Sequence, residues 1–222
     1  MVLTQRDLGD EFDRQVRTLL DLKYPVMSGL AEDAFVQLVS PLRHVAVTHG
    51  ASAPAGRVSF VLVVTQRLAP AERTMPLTTL AGKNKPGFID RLYPPGDLQR
   101  FKPIPELEIP AGDAYLALDI DRGGQTLNVT PDKAMSTITE QGRTPLTVDE
   151  GVALITHVPR SLERNMCFSL AGSRCGDRRV PALWISKGAP KLGWCWAGNP
   201  HTWLRTASCG GRAGPSSHRQ SA

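Results

Sequence analysis

The chain has 222 residues, 41% of them hydrophobic and 21% charged, with a net charge of +5 at pH 7. That length buries a sizeable core, and the composition excludes wholesale disorder. The longest apolar run, Val58 to Val64, is too short to span a bilayer. The opening MVLTQRDLGDEFD (residues 1–13) has no hydrophobic signal region, so a cytoplasmic protein without membrane contact is expected. There the four cysteines stay reduced rather than forming a disulfide framework.

A first helix is signalled by Thr4 and Asp7 as a capping pair, Leu3 stapling to Leu8, and an apolar stripe of Leu8, Phe12, Val16, Leu19 and Leu20. Pro25 closes it. A second helix is expected from residues 28–31 onward, with Leu30, Ala34, Phe35, Leu38, Val39 and Leu42 on one face and a kink at Pro41. The connection THGASAPAG (48–56) follows. RVSFVLVVTQ (57–66) lacks polar alternation, as a central strand buried on both faces does. The next 45 residues are rich in proline and predict short, extended pieces. AYLALDI (114–120) reads as a second strand.

Thr130 and Pro131 start a helix that carries Ala134, Met135 and Ile138 inward and ends near Gly142. Thr147 and Glu150 form a capping box for another, stopped by Pro159. VPALWIS (180–186) and LGWCWAG (192–198) pair as strands around the turn KGAP. The fold class is therefore α+β, with N-terminal helices on a mixed or antiparallel sheet and a tryptophan-rich C-terminal strand pair. Residues 1–209 form one domain, with a helical part (1–47) and a sheet part (57–209), and residues 210–222 form a disordered tail.

All four tryptophans and all four cysteines fall between Cys167 and Cys209. From Arg160 onward ten Lys or Arg face two acids, whereas the preceding residues carry a net negative charge. A basic end on an acidic body suggests an anionic partner. AGSRCGDRR (171–179) and SKGAPKLG (186–193) place glycines beside cations, an arrangement that cradles anions through backbone N–H groups and neutralises them with side chains. Arg174, Arg178, Arg179, Lys187 and Lys191 are the expected neutralising groups. Trp194, Trp196 and Trp203 are the expected pocket walls, with Asn199 and His201 adding polar contacts. The same residues also describe two solvated turns and an aromatic core. A small anionic ligand is the leading partner, and nucleic acid on the same basic aromatic face is the alternative.

Cys175, in SRCGDRR, raises a third reading, a thiol enzyme whose arginine neighbours favour the thiolate and for which His157 or His201 acts as base. No metal or cofactor is expected. The cysteine spacing C-x7-C-x19-C-x13-C lacks the close pairs of zinc sites, and neither G-x-x-x-x-G-K-[ST] nor G-x-G-x-x-G occurs.

FSLAGSRCGDRRVPALWISKGAPKLGWCWAGNPHTWL (168–204) resembles an uncharacterised, mainly actinobacterial family of unknown function. The resemblance extends more loosely through FDRQVRTLLDLKYP, RVSFVLVV, PGDLQRFKPIPELEIP, YLALDIDRG and GRTPLTVDEGVALITH. It implies one intact bacterial domain and no particular chemistry. After HTWL the chain carries Arg205, where the resemblance leads one to expect glycine.

Overall fold

The computed structural model describes residues 5–50 and 53–215. Helix α1 (Gln5–Asp21) buries Leu8, Phe12 and Leu19 along the expected stripe, with Val16 and Leu20 packed at its margins. The Thr4 cap and Leu3 staple lie outside the described residues. Pro25 sits in a one-turn helix, α2 (Tyr24–Ser28), because its locked φ suits a first turn. The expected second helix is in fact two, α3 (Glu32–Val39) and α4 (Pro41–His49). Pro41 has no N–H to extend the ladder of α3 but fits the first position of α4. Phe35, Val39 and Leu42 are fully buried, whereas Ala34 is exposed.

The apolar run is strand β1 (Val58–Val64). The proline-rich stretch after it holds short pieces: a one-turn helix, α5 (Ala71–Thr74), 3-10 turns at Met75–Leu77 and Leu98–Arg100, and the two-residue strands β2 (Phe88–Ile89) and β3 (Lys102–Pro103), before β4 (Ala114–Ile120). β1 and β4 pair antiparallel. Phe60, Leu62, Ala114 and Leu116 join the helical core, while Val61, Val63, Tyr115 and Ala117 enter a second, larger one.

β1 is thus buried on both faces, yet it is an outer strand and not a central one. Its free edge is sealed by side chains. The Gln15 amide donates to the Phe60 carbonyl at 3.1 Å and accepts the Leu62 N–H at 2.7 Å. His157 Nε2 bonds the Leu62 carbonyl at 2.9 Å. An apolar run reports buried faces and says nothing about which edge is paired.

Helix α6 (Pro131–Glu140) begins at Thr130, whose hydroxyl accepts the Lys133 N–H at 3.3 Å. After β5 (Thr144–Pro145), helix α7 (Val148–His157) carries the expected capping box, with the Thr147 N–H on the Glu150 carboxylate at 2.8 Å. Apart from Asp149 every residue of α7 is buried. The remaining strands are β6 (Cys167–Ser169), β7 (Ser173–Arg174), β8 (Arg179–Ser186), β9 (Ala189–Trp196), β10 (Leu204–Thr206), β11 (Ser208–Cys209) and β12 (Gly211–Ala213).

A mixed five-stranded sheet runs β10-β6-β8-β9-β2, and an antiparallel three-stranded sheet runs β1-β4-β12. Phe168, Leu183 and Leu192 of the larger sheet share the second core with Leu154 and Ile155 of α7. The β8–β9 turn is two residues, Lys187 at φ 52° and Gly188 at φ 74°, rather than the four of KGAP. Paired positive φ values match the twist of the flanking strands, so Ala189 and Pro190 are free to join β9. The tail expected from residue 210 instead begins with β12, whose Arg212 is buried against Glu150. Residues 216–222 lie outside the described residues. The architecture is α+β, and no described helix is long and apolar enough to cross a membrane.

Candidate functional site

The two glycine-cation turns do not converge on one site. One precedes β8 and the other follows it, at opposite ends of an eight-residue strand, roughly 23 Å apart at 3.3 Å per residue. The expected site residues therefore divide between the two ends.

At the first end Arg174 and Arg179 are paired with acids, whereas Arg178 has no acidic partner among the described residues. Arg179 donates to Asp97 at 2.5 and 3.2 Å and to Asp177 at 2.9 Å, and its guanidinium lies 5.3 Å from the Phe101 ring and 5.7 Å from Trp194. These pairings raise Arg179 above an ordinary arginine and hold Asp177 down at about 2. Arg174 lies 3.6 Å from Asp132. Trp194 and Trp196 share one side of β9 with ring centroids 4.8 Å apart, while the buried Cys195 turns away, its thiol pushed up to about 12 by burial. Arg178, Trp196 and Asn199 are exposed.

Cys175 is not the activated thiol the sequence suggested. Burial first, and then Asp177, push it up, because the acids that hold Arg179 offset the cation's help. His157 is held on the Leu62 carbonyl and His201 lies against Trp203, so both expected bases have other partners.

The other end forms a cleft of about 430 Å³, lined by Arg164, Asn165, Cys167, Trp184, Ile185, Lys187, Gly188 and Trp203. Trp184 and Trp203 meet with centroids 6.1 Å apart and planes tilted by 60°. Trp184 is fixed from two sides. Lys191 Nζ lies 4.9 Å from its ring centroid and is itself bound to Asp90 at 2.5 Å. The ring also covers Gly193 so closely that a Cβ there would meet it at 2.1 Å. His201 packs on Trp203 at 5.3 Å. The Arg164–Asn165 turn is held by Arg205, whose Nη1 donates to the Asn165 carbonyl at 2.5 Å, with Asn165 at φ 63°.

Lys187 and Arg164 are exposed and have no acidic partner among the described residues. Lys85, which does not line the cleft, braces the turn by donating from Nζ to the Lys187 carbonyl at 2.5 Å. Arg164, Asn165 and Cys167 of the lining were not anticipated. The only local hint was a polar pair at a turn, Arg164–Asn165, directly before the apolar start of β6.

Two other hollows are less suited to one class of ligand. The largest, about 850 Å³, runs beside α1 and carries both signs, since Arg14 is bound to Glu11, and Arg57 to Asp119 and Asp121. A small enclosed hollow beneath α7 is lined by Asp149 and His157, whose Oδ1 and Nδ1 atoms are sealed without a hydrogen-bond partner. Burial pushes Asp149 up to about 6 and His157 down to about 4. Between about 4 and 6 the folded Asp149 keeps a proton that the unfolded chain releases, so this group's contribution falls as pH rises. The folded His157 lacks a proton that the unfolded chain binds, so its contribution falls as pH drops from 6.5 to about 4. The two oppose each other. Asp149→Asn is expected to leave His157 unopposed and to steepen the acid-side loss of stability by on the order of 2 kcal/mol, read from urea unfolding at successive pH values. A pH profile matching that of the parent would contradict this assignment.

No curated protein and no solved structure matches the chain. Residues 18–215, nearly all of the fold including the five- and three-stranded sheets and the cleft, match a family model described as a family of unknown function. The chain belongs to that family, DUF5701.

Proposed function

We propose that the protein binds a small anionic ligand in the cleft between Trp184, Trp203 and the Lys187 turn. One observation carries the reading: Lys187 and Arg164 rim an indole-walled cleft without acidic partners, whereas Arg179, Lys191 and Arg174 each face a carboxylate. An unpaired cation beside a low-polarity wall gives a stronger charge-assisted bond than one already neutralised. With Arg174, Arg179 and Lys191 paired to acids, the unpaired Arg178 and Lys187 stand at opposite ends of the hairpin. They make no continuous basic track for a nucleic-acid backbone, so the small-ligand reading is preferred.

Titration with pyrophosphate, citrate and AMP, followed by tryptophan fluorescence and calorimetry, tests the reading. At least one of these anions is expected to bind saturably, and Lys187→Ala and Arg164→Ala are each expected to weaken it about tenfold. Arg178→Ala, at the opposite end of the hairpin, is expected to leave binding unchanged. The reading fails if none of the three anions binds, or if Arg178→Ala weakens binding as much as Lys187→Ala does.

A further inference from the structure

We infer that the ligand of this cleft is a nucleotide, an inference that rests on the anionic reading above and names its chemical class. Three features of the cleft match three parts of such a molecule. The first is the indole pair. Trp184, wedged over Gly193 beneath Lys191, has its faces taken and braces Trp203, which His201 backs, so Trp203 is the ring set to stack a ligand. Fixed indole faces stack planar heterocycles irrespective of base identity.

The second is the Arg164–Asn165 turn. Asn165 holds the left-handed backbone conformation at φ 63°, and its carbonyl is committed to Arg205. Its side-chain amide, which no described residue engages, offers a donor and an acceptor side by side in the wall of the cleft. That pairing matches the edge of a base that presents an amino group beside a ring nitrogen. The third is the charge. Lys187 and Arg164 come from two separate segments to one rim, which suits a group with more than one negative charge, as a phosphate or diphosphate is. A simple anion would use the cations and leave the indoles and the amide without a role.

Calorimetric titration with ADP, AMP, adenosine and pyrophosphate separates the parts. ADP is expected to bind at least tenfold more tightly than either pyrophosphate or adenosine, with quenching of tryptophan fluorescence. Trp203→Leu is expected to weaken ADP about tenfold and leave pyrophosphate unchanged, whereas Lys187→Ala weakens both. Asn165→Gly keeps the left-handed backbone available and removes only the amide, so it is expected to weaken ADP by about fivefold without lowering the unfolding temperature. If pyrophosphate or citrate binds as tightly as ADP and still depends on Lys187, the nucleotide inference is wrong and the anionic reading stands. If no anion binds at all, both are wrong.

Discussion

Glu150→Ala is expected to destabilise the protein by about 3–5 kcal/mol, as judged by urea unfolding near neutral pH. Glu150 is fully buried and serves three partners. It closes the capping box of α7 by accepting the Thr147 N–H, it accepts the Tyr115 hydroxyl at 2.9 Å, and it binds Arg212 through Nε at 2.5 Å and Nη2 at 2.9 Å. Arg212 is equally enclosed, with 3% of its side chain exposed, and its other acceptors are neutral: Thr144 Oγ1 at 2.7 Å and the Pro145 carbonyl at 3.0 Å. Removing the carboxylate leaves a guanidinium in a low-polarity interior without a counter-charge, and that desolvated charge dominates the loss. Removing both partners together, as Glu150→Leu with Arg212→Met, is expected to recover much of the loss, because no uncompensated charge remains. A single-variant loss below about 1.5 kcal/mol, or a double variant no more stable than the single one, would show that the pair is not the buried tie between α7 and β12 described above.

The second large effect is expected at Gln15. Substitution by leucine keeps the volume of the side chain but leaves the Phe60 carbonyl and the Leu62 N–H unpaired, in a strand where both residues are buried. Two stranded backbone groups cost roughly 2–5 kcal/mol together. Gln15→Ala is expected to cost less than Gln15→Leu, because the smaller side chain leaves room for water to reach the strand edge. Urea unfolding measures the stabilities, and hydrogen exchange at the Leu62 amide reports the edge directly. If Gln15→Leu costs under about 1 kcal/mol, or the Leu62 amide keeps its protection, the edge is sealed by other means.

Features encoded within a few residues were legible. Thr147 and Glu150 stand three apart, so the capping box of α7 could be read directly, and so could the Thr130–Pro131 start of α6. The β8–β9 hairpin was visible in two apolar runs around Lys187–Gly188, although its turn is tighter than KGAP suggested. The grouping of the candidate side chains was only partly legible. Lys187, Trp203 and His201 do gather with Trp184, but Arg174, Arg178, Arg179, Trp194, Trp196 and Asn199 lie toward the other end of the hairpin. Arg179 and Lys191 looked free in sequence because the acids that neutralise them, Asp97 and Asp90, belong to a proline-rich stretch far earlier in the chain.

The sequence by itself determined the helix stripes, the caps, the apolar strands and the crowding of tryptophan and cationic residues into one late segment. Each of these is a preference of backbone geometry or of apolar periodicity over neighbouring positions, and such preferences act before the chain is folded. Only the tertiary structure decided which cations keep their charge unpaired, which strand edge needs Gln15 to seal it, and that residues after 210 return to the sheet as β12. Those outcomes depend on which distant segments the packed core brings together. Coulomb attraction and hydrogen bonding act over a few ångströms of space irrespective of separation along the chain.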